Sequence, residues 1–289
     1  MTHARVTAAL LALLIGAFGC GLTVAQQEAT RKFGWASITV GEFTMSELPR
    51  MRETTMVLNT ASVSIGGTAD PGDLDGPADP NTIPTRVLAA EALASYGRLL
   101  VALVEETQAQ ELQKAADEFV ASAARASESD LSDAQLQAAG RIVTAIGRRI
   151  VEYEKSRALK AIVPEYRPVI DELCDLLRLD FLKTGLRLAQ GLDVAAVRLQ
   201  ADADIVLADR RAPETQRAAA AEALRMADVA RARTDIVYRE AVQALDALKK
   251  ANAQLVEALA SDQFGIADVQ AFAHEAQGLH AAAMALSGR

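Results

Sequence analysis

From Thr85 to the C-terminus, apolar residues return every three or four positions, and such a chain buries them only by forming helices that lie against one another. Ile170, Leu173, Leu177, Phe181, Leu188, Leu192, Ala195 and Leu199 follow this rhythm mostly at three- and four-residue steps, while Asp171, Asp175, Arg178, Asp180 and Lys183 take other faces. Tyr238, Ala241, Leu245, Leu248, Asn252, Leu255 and Leu259 keep a heptad register, with Asn252 as the polar residue suited to fixing it. Composition supports the same choice. The chain is 51% hydrophobic but only 4% aromatic, and its Ala- and Leu-heavy apolar content loses little on entering a helix. The expected fold is all-α: an elongated up-and-down bundle of four to five long helices with an irregular N-terminal arm. Short polar connections near 128–133 and 210–214 favour antiparallel neighbours.

Boundary signals divide the chain further. Thr85 is placed to cap a first helix reaching Ala126, and ASESDLSD ends it. Ser132 with Gln135 resembles a capping box, after which Ala139, Ile142, Ile146, Ile150 and Tyr153 form one stripe. Pro164 and Pro168 predict a break or kink, because an interior proline removes a hydrogen bond and clashes with the preceding turn. A third helix follows to about Asp209, Pro213 opens a fourth reaching about Asp262, and a shorter one follows Gly265. Residues 85–289 thus read as the bundle domain. Upstream, 20–65 lacks the helical pattern and reads as an irregular arm, with WASITVGEF suited to a short strand. Residues 66–84, GGTADPGDLDGPADPNTIP after Ile65, read as a flexible Gly/Pro/Asp linker separating the membrane end from the body.

The first residues carry an address. A short segment with Arg5, an apolar run from Val6 to Phe18 and small residues around Cys20 read as a secretory leader. Gly19-Cys20 fits a lipoprotein processing site, so residues 1–19 are expected to be removed and Cys20 to be lipidated. Two alternatives stand beside it: cleavage after Ala25, releasing a soluble periplasmic protein, or an uncleaved Val6–Ala25 anchor just long enough to span a bilayer. All three place the body on the periplasmic side of a bacterial envelope. Cys174, the one other cysteine, sits among Leu173, Leu176 and Leu177 and reads as a small buried residue.

The sequence offers no catalytic apparatus. His274 and His280 are six positions apart, off the i, i+4 spacing of a helical metal pair. The linker acids Asp70, Asp73, Asp75 and Asp79 fail the calcium-loop pattern, since aligning Gly76 as its sixth residue puts Pro71 first and Thr82 twelfth. No phosphate loop, nucleophile elbow or di-metal Glu-x-x-His motif is present. No metal or cofactor is therefore expected, and no enzyme activity. A formal charge of −8 opposes binding to nucleic acid. Arg148, Arg149, Arg157 and Lys160, near Tyr153 and Tyr166, form a possible interaction patch, diluted by Glu152, Glu154 and Glu165.

Ser95-Tyr96, the core IVTAIGRRIVEYEKSRALKAIVPEY and the late heptads ALDALKKANAQLVEALASD resemble a loosely defined group of uncharacterised proteobacterial helical lipoproteins. That resemblance implies an envelope location and a helical bundle, and carries no catalytic residue onto this chain. The expected function is a lipid-anchored structural or interaction module that binds the membrane through its N-terminal lipid and presents a helical surface to an envelope protein. A periplasmic carrier holding a small apolar or lipidic ligand between its helices is the alternative, and an atypical helical hydrolase is the third reading.

Overall fold

The computed structural model describes residues 21–76, 83–106, 108–126, 152–185, 187–261 and 267–287. Seven helices and no strand occur among them: α1 Val24–Ser64, α2 Ile83–Glu105, α3 Ala109–Ala126, α4 Glu152–Phe181, α5 Leu188–Ala208, α6 Glu214–Ala260 and α7 Ala267–Ser287. The all-α expectation holds.

The expected irregular arm is instead α1, a helix of 41 residues and about 60 Å at 1.5 Å per residue. It escaped the periodicity argument because its two sides are not sorted by polarity: Gln26, Thr30, Ser37, Thr44, Glu47, Thr55 and Asn59 are buried, while Trp35 and Val57 are exposed. Its Ser and Thr residues, which suggested extended chain, are accommodated inside the helix. Thr30, Ser37, Thr44 and Thr55 each donate to the carbonyl four residues back, at 2.8–2.9 Å. A capping box starts α1: Gln26 N donates to Thr23 Oγ1 at 3.2 Å and Thr23 N to Gln26 Oε1 at 2.9 Å.

α6 runs antiparallel to α1 over its whole length. Gln26 Nε2 donates to Ala258 O at 2.8 Å at one end, Glu47 pairs with Arg233 in the middle, and Gln216 Nε2 donates to Ile65 O at 3.0 Å at the other. α2 lies antiparallel on the first half of α1 through small residues. A Cβ on Gly97 would lie 2.4 Å from Gly34 O, and one on Gly41 would lie 2.8 Å from Ala90 O, so the two backbones approach as closely as glycine permits. Among the described residues α2 is the one helix long and apolar enough to cross a membrane, and most of it is buried in the bundle.

Several boundaries differ from the sequence reading. The first expected helix divides into α2 and α3, and the third stops at Phe181 and resumes at Leu188. α4 and α5 nonetheless follow one another along α6: Asp175 pairs with Lys249 and Arg178 with Asp246, then Gln200 accepts from Arg231. Pro164 and Pro168 lie inside α4 without ending it. Both are exposed, and so is Lys160, on the face where the freed carbonyls of Lys160 and Pro164 meet solvent. Burial of Ile162, Val163, Tyr166, Val169 and Ile170 on the opposite side, at about 1.5–3 kcal/mol for each large apolar side chain, outweighs about 3 kcal/mol per interior proline. Tyr153, expected on a core stripe, is exposed at the start of α4.

Aromatic rings tie the thick end of the bundle together. Phe272, Phe33, Tyr96, Phe119 and Tyr166 pack in succession across α7, α1, α2, α3 and α4, with centroids 4.7–6.1 Å apart. The opposite end is built from α1, α5, α6 and a strap, residues 66–76. Far from a free linker, the strap folds back along α1. Asp202 of α5 accepts from Ser62 Oγ, Thr68 N and Thr68 Oγ1 at 2.5, 3.1 and 3.0 Å. Asn59 Nδ2 then donates to Leu74 O at 2.9 Å, and Arg52 pairs with Asp75 at 2.9 Å. Gly66 turns the chain with a φ of 78°, and a Cβ on Gly67 would collide with Asp202 Oδ2.

Candidate functional site

Of the residues singled out in the sequence, Cys20, Arg148 and Arg149 lie outside the described residues. Arg157 and Lys160 are exposed one turn apart on α4, whereas Tyr166 is buried in the aromatic succession and is not part of that surface. His274 and His280 are both exposed on α7. Cys174 is fully buried, and burial, reinforced by Asp171, pushes its thiol pKa well up, away from nucleophilic thiolate chemistry. Among the described residues no group of three or more His, Cys, Asp or Glu side chains is arranged to hold a metal ion.

Among the described residues polar side chains gather inside the bundle at several places, among them Arg86 with Asp180 at 2.8 Å. Glu47, 2% exposed, receives both Nε and Nη2 of Arg233 at 2.5 Å and the Tyr238 hydroxyl at 3.1 Å. These hydrogen bonds raise the Arg233 pKa, and burial, followed by the Glu47 charge, raises that of Tyr238. Phe181 packs on Tyr238 and Phe43 on Phe181, so an apolar wall shields the pair. Close by, Lys183 bridges Asp193 of α5 and Asp235 of α6; burial opposes its charge, but the two carboxylates raise its pKa overall. At the strap, Asp202 gathers the three donors already described. Tyr96 OH donates to Asn252 Oδ1 at 3.1 Å, which gives the heptad asparagine a buried partner on α2. These groups join helices; none opens onto a cleft with a poised acid or base.

Two features face outward. On α5, Val194, Val197, Ala201 and Ile205 are exposed at three- and four-residue steps, with Ile205 at 68%. Val57 and Val229 add exposed apolar side chains on α1 and α6 of the same end. A run of this kind is an unspent hydrophobic face. The second feature is a pocket of about 410 Å³ beneath the strap, between α1 and α5, with Asn59, Asp70, Asp73, Val194, Ala195 and Arg198 on its walls. A shallower apolar groove, lined by Met56, Val57, Ala61 and Met226, opens to solvent between α1 and α6.

Sequence reasoning missed both features. The α5 run was read for its buried partners Leu192, Ala195 and Leu199, although Val194, Val197 and Ile205 were legible as a second apolar stripe on one helix. The pocket had no such signal, because its walls come from residues more than a hundred positions apart. Compared with known proteins, the chain matches no family model, no curated protein and no solved structure.

Proposed function

We propose that this protein is a lipid-anchored module of the bacterial envelope that presents one end of an elongated, up-and-down helical bundle to a protein partner, without catalysis. The exposed Val194, Val197, Ala201 and Ile205 stripe carries the reading, because a helix surface of this apolarity is stabilised by being covered. Its position supports the same idea. Gly21, Leu22 and Thr23 separate Cys20 from α1, so lipid on Cys20 holds the thick end against the membrane. The stripe then stands toward the other end of α1, on the order of 50 Å away. The resemblance to helical lipoproteins and the leader agree with an anchored, periplasmic-side location. A carrier of an apolar ligand would want a closed chamber, and the Met56–Met226 groove is open.

Two measurements test this. Intact mass of the mature chain is expected to begin at an acylated Cys20; a chain beginning at Gln26 overturns the anchor, and one still carrying Met1 overturns the lipid in favour of the uncleaved Val6–Ala25 span. A photo-crosslinking residue at Val197 is expected to capture one recurrent envelope protein in host cells, and Ile205→Glu should abolish that adduct while leaving the helix signal and melting temperature unchanged. No discrete adduct, or an adduct indifferent to Ile205→Glu, rejects the partner face.

A further inference from the structure

The apolar run on α5 is flanked by charges that the bundle leaves unmatched. Arg198 is half-buried and Asp204 exposed, and neither forms an ion pair among the described residues. Their own helix offers them no counterion. The residues three and four positions from Asp204 are Gln200, Ala201, Leu207 and Ala208, and the acid one turn after Arg198, Asp202, is buried and engaged by Ser62 and Thr68.

The order of residues on this face is its own complement. Counting outward from Ala201, Arg198 lies three positions back and Asp204 three forward, Val197 four back and Ile205 four forward, Val194 seven back and Ala208 seven forward. All of these except Arg198 are exposed, and at about 100° per residue they fall within about 60° of Ala201 on one side of the helix. A second copy laid antiparallel about Ala201 sets each residue level with its counterpart: Val197 with Ile205, Val194 with Ala208, and Arg198 with Asp204 of the second copy across the seam, twice over. At the centre Ala201 meets Ala201, and the short side chains let the two helices come close. A parallel pair instead sets Arg198 level with Arg198 and Asp204 with Asp204, which is repulsive. The formal charge of −8 on each chain opposes approach only at longer range, where salt screens it beyond about 8 Å. On the seam itself each copy contributes one charge of each sign.

From this pattern we infer that the partner at the α5 face is a second copy of this chain, joined through an antiparallel α5–α5 seam centred on Ala201. The inference rests on the partner-face reading above and names the occupant of that face. α5 follows the long axis of the bundle beside α6, so the Cys20 ends of such a pair point in opposite directions. The seam therefore suits copies anchored on facing membrane surfaces, not neighbours in one leaflet.

Disulfide formation between variants of the full mature protein is the test. Val197→Cys and Ile205→Cys change exposed positions, so both should keep the parent far-ultraviolet spectrum. On mild oxidation, an equal mixture of the two should form a covalent dimer at least tenfold faster than either variant alone, and the parent, whose Cys174 is buried, should form none. Adding Arg198→Asp to the Val197→Cys chain should slow the mixed disulfide at least threefold, and adding Asp204→Arg to the Ile205→Cys chain should then restore it. Val197→Cys pairing with itself as fast as with Ile205→Cys overturns the antiparallel seam, as does a mixed rate indifferent to both charge changes. Absence of any covalent dimer overturns self-pairing altogether. The photo-adduct at Val197 then separates the two readings: capture of a different protein leaves the partner face standing without the second copy, and no adduct removes both.

Discussion

The Glu47–Arg233 pair offers the sharpest test of how the two long helices are held. Arg233→Met keeps the length of the side chain but removes the guanidinium, leaving a Glu47 side chain 2% exposed with the Tyr238 hydroxyl as its remaining donor. Removing one partner of a buried pair strands the other charge and costs about 3–5 kcal/mol. Glu47→Leu should cost a similar amount, because it strands Arg233, whose side chain is 10% exposed. Replacing both is a different case. Neither charge then needs hydration, the stranded Tyr238 hydroxyl costs about 1–3 kcal/mol, and Glu47→Leu/Arg233→Met should lie within about 3 kcal/mol of the parent, with a coupling of about 3 kcal/mol or more between the sites. Urea unfolding followed by the helix signal measures all four chains, and equal slopes would show that the same surface is exposed in each. Adding salt should change the parent midpoint little through this pair, since buried charges are weakly screened. A cost below about 1 kcal/mol for Arg233→Met, or single costs that simply add in the double variant, would refute the claim that this pair is a desolvated bolt between α1 and α6.

Two further outcomes follow from close contacts and buried hydroxyls. Gly97→Ala should destabilise by about 1 kcal/mol or more, because overpacking against Gly34 O, a backbone atom 2.4 Å from the new Cβ, outweighs the gain of about 1 kcal/mol in helix propensity. Gly278→Ala, whose nearest neighbour is Glu240 Oε2 at 4.0 Å, should stabilise by about 0.5–1 kcal/mol; melting temperatures moving the same way would contradict the packing argument. The second outcome concerns alkaline pH. Burial, reinforced by Glu165, pushes the Tyr166 pKa up to about 12, and burial raises Tyr96 and Tyr238 as well, with Asp171 and Glu47 the charges that add to it. Unfolded tyrosines release their protons near pH 10 while the folded ones hold theirs, so the unfolded state binds fewer protons above that pH. Stability should fall as pH rises, by up to about 1.4 kcal/mol per pH unit for each buried tyrosine, and for Tyr166 the fall ends near 12. Urea midpoints between pH 9 and 11.5 should show it, Tyr166→Phe should lessen the slope by one proton's worth, and a level profile would reject the assignment.

Legibility in the sequence followed solvent. α5 and α6 border water on one side, and every core position read from their three- and four-residue steps, from Leu188 to Leu199 and from Tyr238 to Leu259, is buried. Cys174 was readable for the same reason, lying among leucines on the inner stripe of α4. α1 was not, since burial does not follow polarity along it: Thr30, Ser37, Thr44, Glu47 and Asn59 face inward while Trp35 and Val57 face water. Its β-branched residues and glycines, weak helix formers in isolation, are there to bond back to their own turn and to let α2 approach.

The chain's local chemistry, on its own, determined that it is helical, that its late helices bury the Leu and Ala stripes they do, and that no recognisable catalytic motif is present. Those properties depend on residues within a turn or two of one another, where spacing is geometry. Tertiary structure alone decided that the Gly/Asp segment is a strap bound to Asp202, that prolines 164 and 168 continue a helix, and that Asn59, Asp73 and Arg198 share one pocket. The reason is that these outcomes balance a local preference against burial and pairing with partners up to about 140 positions away, and a linear pattern contains only the first of those two quantities.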